Sequence, residues 1–152
     1  FGMQTGELIS PELFRKFYKP CWKRITDWVH RNTGWKVMFH TCGSIVNLLD
    51  DIAESGIDIL NPVQCSARGM DPVMLKEKYG DRFVFWGGGV NTQETLPFGS
   101  VDKVKNEVEE RIRIFSKDGG FVFNTIHNIV AKTPIENLMA MYDVVKTFKY
   151  DE

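Results

Sequence analysis

Short apolar runs alternate with amphipathic stretches along the chain. Runs at residues 36–39, 57–60, 83–86 and 121–123 are predominantly apolar, interrupted only by Lys36 and Asp58, which predicts buried strands rather than half-exposed ones. The stretches between them carry helical spacing and recognisable ends. Ser10-Pro11 opens the first, with Ser as N-cap and Pro at the first helical position. Leu13, Phe14, Phe17, Tyr18, Ile25, Trp28 and Val29 form its apolar stripe, Pro20 predicts a kink or a division into two helices, and Gly34 closes it. After the first strand, Ser44 is the expected cap of a helix with Ile45, Leu48, Leu49 and Ile52 on one face, ended by a left-handed Gly56. Asp71-Pro72 opens a helix that ends near Tyr79-Gly80. Ser100 opens another, with Val101, Val104, Val108, Ile112 and Phe115 facing inward and Gly119-Gly120 at its end. Thr133-Pro134-Ile135-Glu136 reads as a capping box for a last helix carrying Leu138, Met139, Tyr142 and Val145.

A helix followed by four strand–helix units predicts an α/β fold with a parallel sheet covered by helices. A doubly wound sheet and a barrel segment both satisfy that order. Residues 1–152 read as one domain. Four strands do not close a barrel, which takes eight strands and about 250 residues. The domain is therefore expected to be partial, with two open sheet edges that invite pairing. The expected partner is a missing N-terminal half-barrel or a second copy of the chain. The chain starts at Phe1 without an initiator Met, which reads as a piece cut from something longer.

Composition narrows the class. Hydrophobic residues make up 43% and charged residues 26%, a globular balance that argues against disorder. The formal net charge of -1 argues against nucleic acid or an anionic membrane as partner. No run of eighteen apolar residues predicts a membrane-spanning helix, and FGMQTGELIS has no signal-peptide pattern. Cys21, Cys42 and Cys65 are too few and too scattered for a disulfide framework, so a reducing cytoplasm is expected. Cys21 is assigned to helix packing and Cys65 to a loop. Trp22, Trp28 and Trp35 are assigned to core or covering positions. Asp50 and Asp51, and Glu107, Glu109 and Glu110, read as solvated helix faces, and no pair of catalytic carboxylates stands out.

In parallel α/β sheets, ligands bind at the C-terminal strand ends. The loops in question begin at His40, Asn61, Gly87 and Asn124. His40 and Cys42 are two apart and point to the same side of extended backbone. An imidazole and a thiolate suit one Zn2+; a backbone-satisfied His beside an inert thiol is the alternative. His127 can converge on the same mouth, bind an anionic small-molecule substrate or simply hold its loop. His30 is expected to meet the carbonyls at its helix end. Asn61 and Gln64 can fix a polar ligand edge or pin their loop. Gly87, Gly88 and Gly89, after Trp86, permit either close ligand approach or an awkward turn. They do not form a dinucleotide fingerprint.

These segments also carry a resemblance. GMQTGELISPELF, HTCGSI, GIDILNPVQ, GMDP, FVFWGGGVNTQETLPFG, GGFVFNTIHNI and TPIENLMAMY, in this order, resemble the C-terminal half of the uroporphyrinogen decarboxylase superfamily. The resemblance implies half of a (β/α)8 barrel with its active site at the C-terminal mouth. It implies two chemistries. Corrinoid-dependent methyltransferases of this fold use Zn2+ to activate a thiol acceptor against a methyl-corrinoid, with an H-x-C motif among the ligands. His40 and Cys42 match that motif, and His127 stands where the third ligand is usually Cys. A corrinoid protein is then an implied partner. Uroporphyrinogen decarboxylases remove tetrapyrrole acetate carboxyls without metal or cofactor and carry a His in the loop of His127. Asn91 stands where many relatives have Asp. The expected ligand contacts are Asn61, Gln64, Trp86, Gly87, Gly88, Asn124 and His127; the expected metal ligands are His40, Cys42 and His127. Methyl transfer is the first reading and decarboxylation the alternative. A self-associating half-barrel, inactive by itself, is the third.

Overall fold

The structure is a computed structural model that describes residues 1–149, so the end of the domain expected over residues 1–152 lies outside the described residues. It opens with a hairpin that local patterning did not reveal. Strands β1 (Gly2–Met3) and β2 (Gly6–Glu7) are antiparallel, with Met3 opposite Gly6. The hairpin lies on the loop after the first sheet strand, where the Ser44 N–H donates to the Met3 carbonyl at 2.8 Å. Gly2 and Gly43 make this crossing possible: a Cβ on Gly43 would stand 2.4 Å from the Gly2 backbone.

Ser10 caps α1 (Pro11–Leu13), its Oγ accepting from the Leu13 N–H at 3.2 Å. The helix widens into a π stretch (Phe14–Tyr18) and continues as α2 (Lys19–Asn32). The break expected at Pro20 is thus a widened turn. Pro20 has no N–H to give, and the Lys19 N–H reaches back five residues to the Phe14 carbonyl.

Strands β3 (Met38–His40), β4 (Ile59–Asn61), β5 (Val84–Trp86) and β6 (Phe121–Val122) form one parallel sheet in sequence order. The crossovers carry α3 (Leu49–Glu54), α4 (Pro72–Tyr79), the short α5 (Thr95–Phe98) and α6 (Val101–Ser116), and α7 (Ile135–Thr147) follows β6. Leu60 and Phe85 are buried beneath the helices with Phe14, Leu49, Ile52, Leu75 and Phe115. Ile59, Asn61, Val84 and Trp86, on the opposite face, remain at least partly exposed. One covered face and one open face in sequential parallel order are what half of a (β/α)8 barrel requires. Among the described residues no helix is long and apolar enough to cross a membrane.

Besides Ser10, two more caps form as expected. Asp71 Oδ1 accepts from the Met74 N–H at 2.9 Å, and Ser100 Oγ from the Lys103 N–H at 3.2 Å. Gly56 takes φ +84°. Two caps differ. Ser44 is buried, and a 3-10 turn (Val46–Leu48) without a side-chain cap precedes α3. The Thr133 hydroxyl donates to the Val130 carbonyl, while the Asn137 and Leu138 N–H groups both reach Pro134, so no capping box forms.

Other expectations are corrected by neighbours from elsewhere in the chain. Asp51 is buried and holds Arg15 at 2.8 Å and Lys19 at 2.7 Å instead of facing solvent. Glu107 is mostly buried and accepts from the Asn91 N–H at 3.0 Å. His30 Nε2 pairs with Asp58 Oδ2 at 2.7 Å rather than with carbonyls. Cys21 is exposed. Trp22 packs against Phe1, Phe14 and Phe39, but Trp28 and Trp35 are exposed. The stripe on the first helix is split: Phe14 is buried, whereas Ile25 is 57% and Trp28 59% exposed beside Met38 at 43%. These residues flank the open edge of β3, where Trp22, Ile25, Met38 and Phe39 line an apolar groove of about 230 Å3.

Candidate active site

Parallel register brings the strand-end residues together. His40 lies opposite Asn61 in the β3–β4 ladder. The Asn61 Nδ2 donates to the Trp86 carbonyl at 2.8 Å, which fixes the amide orientation because a carbonyl only accepts. Asn61 Oδ1, 2.6 Å from His40 Nδ1, therefore accepts from that nitrogen. The neutral imidazole carries its proton on Nδ1 and its lone pair on Nε2. That Nε2 stands 3.7 Å from Cys42 Sγ. Bonds of about 2.0–2.1 Å to nitrogen and about 2.3 Å to sulfur, at a tetrahedral angle, separate two donor atoms by about 3.6 Å. The His40–Cys42 separation thus matches the spacing that two ligands of one tetrahedral ion would need, and Asn61 is placed to orient the imidazole as an outer partner would.

His127 shares the mouth but differs in chemistry. A cavity of about 550 Å3 is lined by His40, Asn61, Asn124, Thr125, His127 and Asn128, among others. His127 Nδ1 accepts from the Asn128 backbone N–H at 2.8 Å, and the Thr125 hydroxyl donates to the His127 carbonyl at 2.8 Å. Since a backbone N–H only donates, the neutral ring carries its proton on Nε2. His127 therefore offers a hydrogen-bond donor, where a ligand needs a lone pair. Among the described residues no group of three His, Cys, Asp or Glu side chains is placed to hold a metal. The expected three-ligand set is brought together as a pair and a separate donor. Among the described residues no Asp, Glu, Lys or Arg lines this cavity.

The remaining expected contacts divide. Asn61 and Asn124 line the cavity, and Asn61 also ties β3, β4 and β5 together through its two bonds. Trp86 is partly exposed at the end of β5. Gln64 is buried: its Oε1 accepts from the Gly43 N–H at 2.8 Å and its Nε2 donates to Gln4 Oε1 at 2.6 Å, so its amide pins loop to hairpin. Gly87 is required by the backbone crossing, because at φ +128° an added Cβ would lie 2.0 Å from the Pro62 carbonyl oxygen. Gly88 packs against Phe115 and Cys65. Desolvation pushes the Cys65 thiol up to about 12, which keeps it protonated and inert. Asn91 Oδ1 accepts from the Gln93 N–H at 2.8 Å and shapes its own turn. Sequence reasoning missed Thr125 and Asn128; the signal available was only their adjacency to His127.

Comparison with known proteins supports the family and the fold. A uroporphyrinogen decarboxylase of Coxiella burnetii (strain Dugway 5J108-111) is 27% identical over 150 residues, covering 94% of this chain and 38% of its own length. A methylated-thiol–coenzyme M methyltransferase of Methanosarcina mazei is 26% identical over 136 residues, covering 90% of this chain and 33% of its own. A solved methyltransferase from Methanosarcina mazei superposes with a TM-score of 0.70 at 28% identity, over 91% of this chain and 38% of that one. The chain thus spans well under half the length of these relatives. The family model described as uroporphyrinogen decarboxylase (URO-D) matches residues 1–148. With that match running through the hairpin, all four sheet strands and the last helix, the chain belongs to the uroporphyrinogen decarboxylase family.

Proposed function

We propose that this chain carries the zinc-and-thiol end of a corrinoid-dependent methyl transfer. The observation that supports the reading is the His40–Cys42 pair, with Nε2 and Sγ 3.7 Å apart and the imidazole tautomer set by Asn61. His40 presents a lone pair, and Cys42 supplies a thiol that metal binding deprotonates. When bound, Zn2+ would hold the acceptor thiol as a thiolate, a stronger nucleophile at neutral pH. His127, through Nε2–H, orients the acceptor by hydrogen bonding. The methyl donor in this reading is a methyl-corrinoid brought by a partner protein. Three free cysteines suit a reducing cytoplasm.

Zinc binding tests the reading directly. Equilibrium dialysis of the tag-free chain, with metal analysis, is expected to give one Zn2+ per chain, lost in Cys42→Ala and kept in His127→Ala. Absence of binding in the folded wild-type chain would remove the support for methyl transfer.

One observation favours a second reading, decarboxylation of a polycarboxylate such as a porphyrinogen. The cavity offers the His127 donor and amide groups, and among the described residues no carboxylate lines it to repel the substrate. In that case His127→Ala weakens substrate binding and Cys42→Ala does not.

Activity in either reading needs the rest of the barrel. A second copy is a poor complement. Helix α2 precedes β3, α7 follows β6, and a barrel interval holds one helix. At each seam of a two-copy barrel, α7 of one chain and α2 of the other would compete for that interval. We therefore propose a complement of four strands and three intervening helices, beginning and ending with a strand. The half-barrel by itself is then inactive.

A further inference from the structure

Asn61 and Gln64 stand three residues apart, one at the end of β4 and one in the loop after it. Asn61 sets the proton on His40. Gln64 does not line the cavity. Its amide is turned toward the backbone beside Cys42.

Cys42 is suspended between anchored neighbours. On one side the Thr41 N–H donates to the Asn61 carbonyl at 2.8 Å and continues the β3–β4 ladder. On the other the Gly43 N–H donates to Gln64 Oε1 at 2.8 Å, and beyond it the Ser44 N–H is held by the Met3 carbonyl. Of these acceptors only Gln64 is a side chain, and it is buried. The thiol meets His40 Nε2 at 3.7 Å, but a thiol is a weak donor and a weak acceptor. Placement of Sγ therefore rests on the backbone to either side.

The Gln64 amide has no freedom to turn. The Gly43 N–H only donates, so Oε1 faces it and Nε2 faces the hairpin. Nε2 donates to Gln4 Oε1 at 2.6 Å, and Gln4 Nε2 donates to the Ser66 carbonyl at 3.1 Å. A backbone N–H at one end and a backbone carbonyl at the other thus orient both amides.

We propose that Gln64 is the positioning residue for the Cys42 thiol, as Asn61 is for the His40 imidazole. Segment 61–64 then sets both donor atoms of the pair, and the hairpin braces it through Gln4. The purpose of this arrangement rests on the zinc reading; the geometry is testable without metal.

The test compares Gln64→Met, which keeps the volume and loses the acceptor, with Gln64→Glu, which keeps the acceptor. NMR of the metal-free chain reads the exchange protection of the Gly43 N–H, the NOE between the His40 ring and the Cys42 β-protons, and the ring-nitrogen shifts that report the His40 tautomer. Gln64→Met is expected to lose the first two and keep the third, because Asn61 is untouched. Gln64→Glu is expected to keep all three. Competition with a chromophoric chelator is expected to show zinc affinity about tenfold lower in Gln64→Met. Gln4→Ala, at an exposed hairpin position, is expected to shift the same signals by less, and it keeps the test decisive if Gln64→Met fails to fold. A folded Gln64→Met chain that keeps the NOE and the Gly43 protection would overturn the proposal, as would zinc bound equally tightly by that variant and the wild-type chain. Loss of the His40 tautomer along with the NOE would overturn it too, since Gln64 would then be a general support of the sheet. A wild-type chain that binds no zinc, yet shows the expected NMR changes, would remove the zinc reading and leave the placement of the thiol standing.

Discussion

Replacing Asn61 by Ala removes one side chain and two hydrogen bonds, and its consequence for metal binding follows from the tautomer it enforces. In the intact chain the amide donates to the Trp86 carbonyl and accepts from His40 Nδ1 at 2.6 Å. Without it, neutral His40 is free to carry its proton on Nε2, the nitrogen that faces Cys42 at 3.7 Å. Metal binding must then select the tautomer and orient the ring at its own expense. Loss of such outer partners costs about 10- to 100-fold in metal affinity, or about 1.4–2.7 kcal/mol. The measurement is competition with a chromophoric zinc chelator near neutral pH, on the folded variant, with Cys42→Ala as the control that loses a ligand. Asn61→Gln, with an amide one methylene further out, should not restore the affinity. If Asn61→Ala binds Zn2+ as tightly as the wild-type chain, the orientation argument is refuted, whatever the fate of Cys42.

Three further outcomes concern the scaffold that holds the site. Phe85→Ala empties a fully buried position between sheet and helices and should cost about 3–5 kcal/mol in urea unfolding, while the exposed Trp28→Ala should cost far less. Gly87→Ala places a Cβ 2.0 Å from the Pro62 carbonyl oxygen at φ +128°; a loss of more than about 1 kcal/mol is expected, with loosened His40–Asn61 geometry read from the imidazole NMR signals. Burial pushes the Asp58 carboxyl up, but the Val37 N–H, His30 and Lys36 outweigh it and hold it below the usual range. Because its folded value lies below the unfolded one near 3.8, its contribution is present above that pH and is lost as pH falls through the folded value. Asp58→Asn should therefore destabilise by about 1–2 kcal/mol at neutral pH, with the gap to wild type closing in acid; a gap that stays constant with pH would count against it.

Much of the architecture is written locally. Apolar runs of strand length, helical periodicities and the Asp71 and Ser100 caps act over a few residues, so they are legible wherever they occur. The same holds for the polar strand-end loops, and hence for His40, Asn61, Asn124 and His127 as neighbours once the strands run parallel. Legibility ends where a partner lies far along the chain. Asp50 and Asp51 look alike in sequence, and only packing against the first helix buries Asp51 between Arg15 and Lys19. Gln64 looked free to meet a ligand until the hairpin brought Gln4 and Gly43 to its amide.

The amino-acid sequence alone therefore determined the order of the sheet strands and main helices that follow the hairpin, the parallel sheet and the rim on which the polar loop residues gather, because each follows from short-range periodicity and end signals. Tertiary structure alone decided what each rim residue is able to do. Asn61 lies 21 residues from His40, and register across two ladders is what turns it into the partner that sets a proton on Nδ1. The proton on His127 is set in the opposite sense by the fold of a single loop. Two histidines that read identically as letters thus become a lone-pair donor and a hydrogen-bond donor, because hydrogen bonding assigns a proton only after the chain has brought the acceptor or donor alongside.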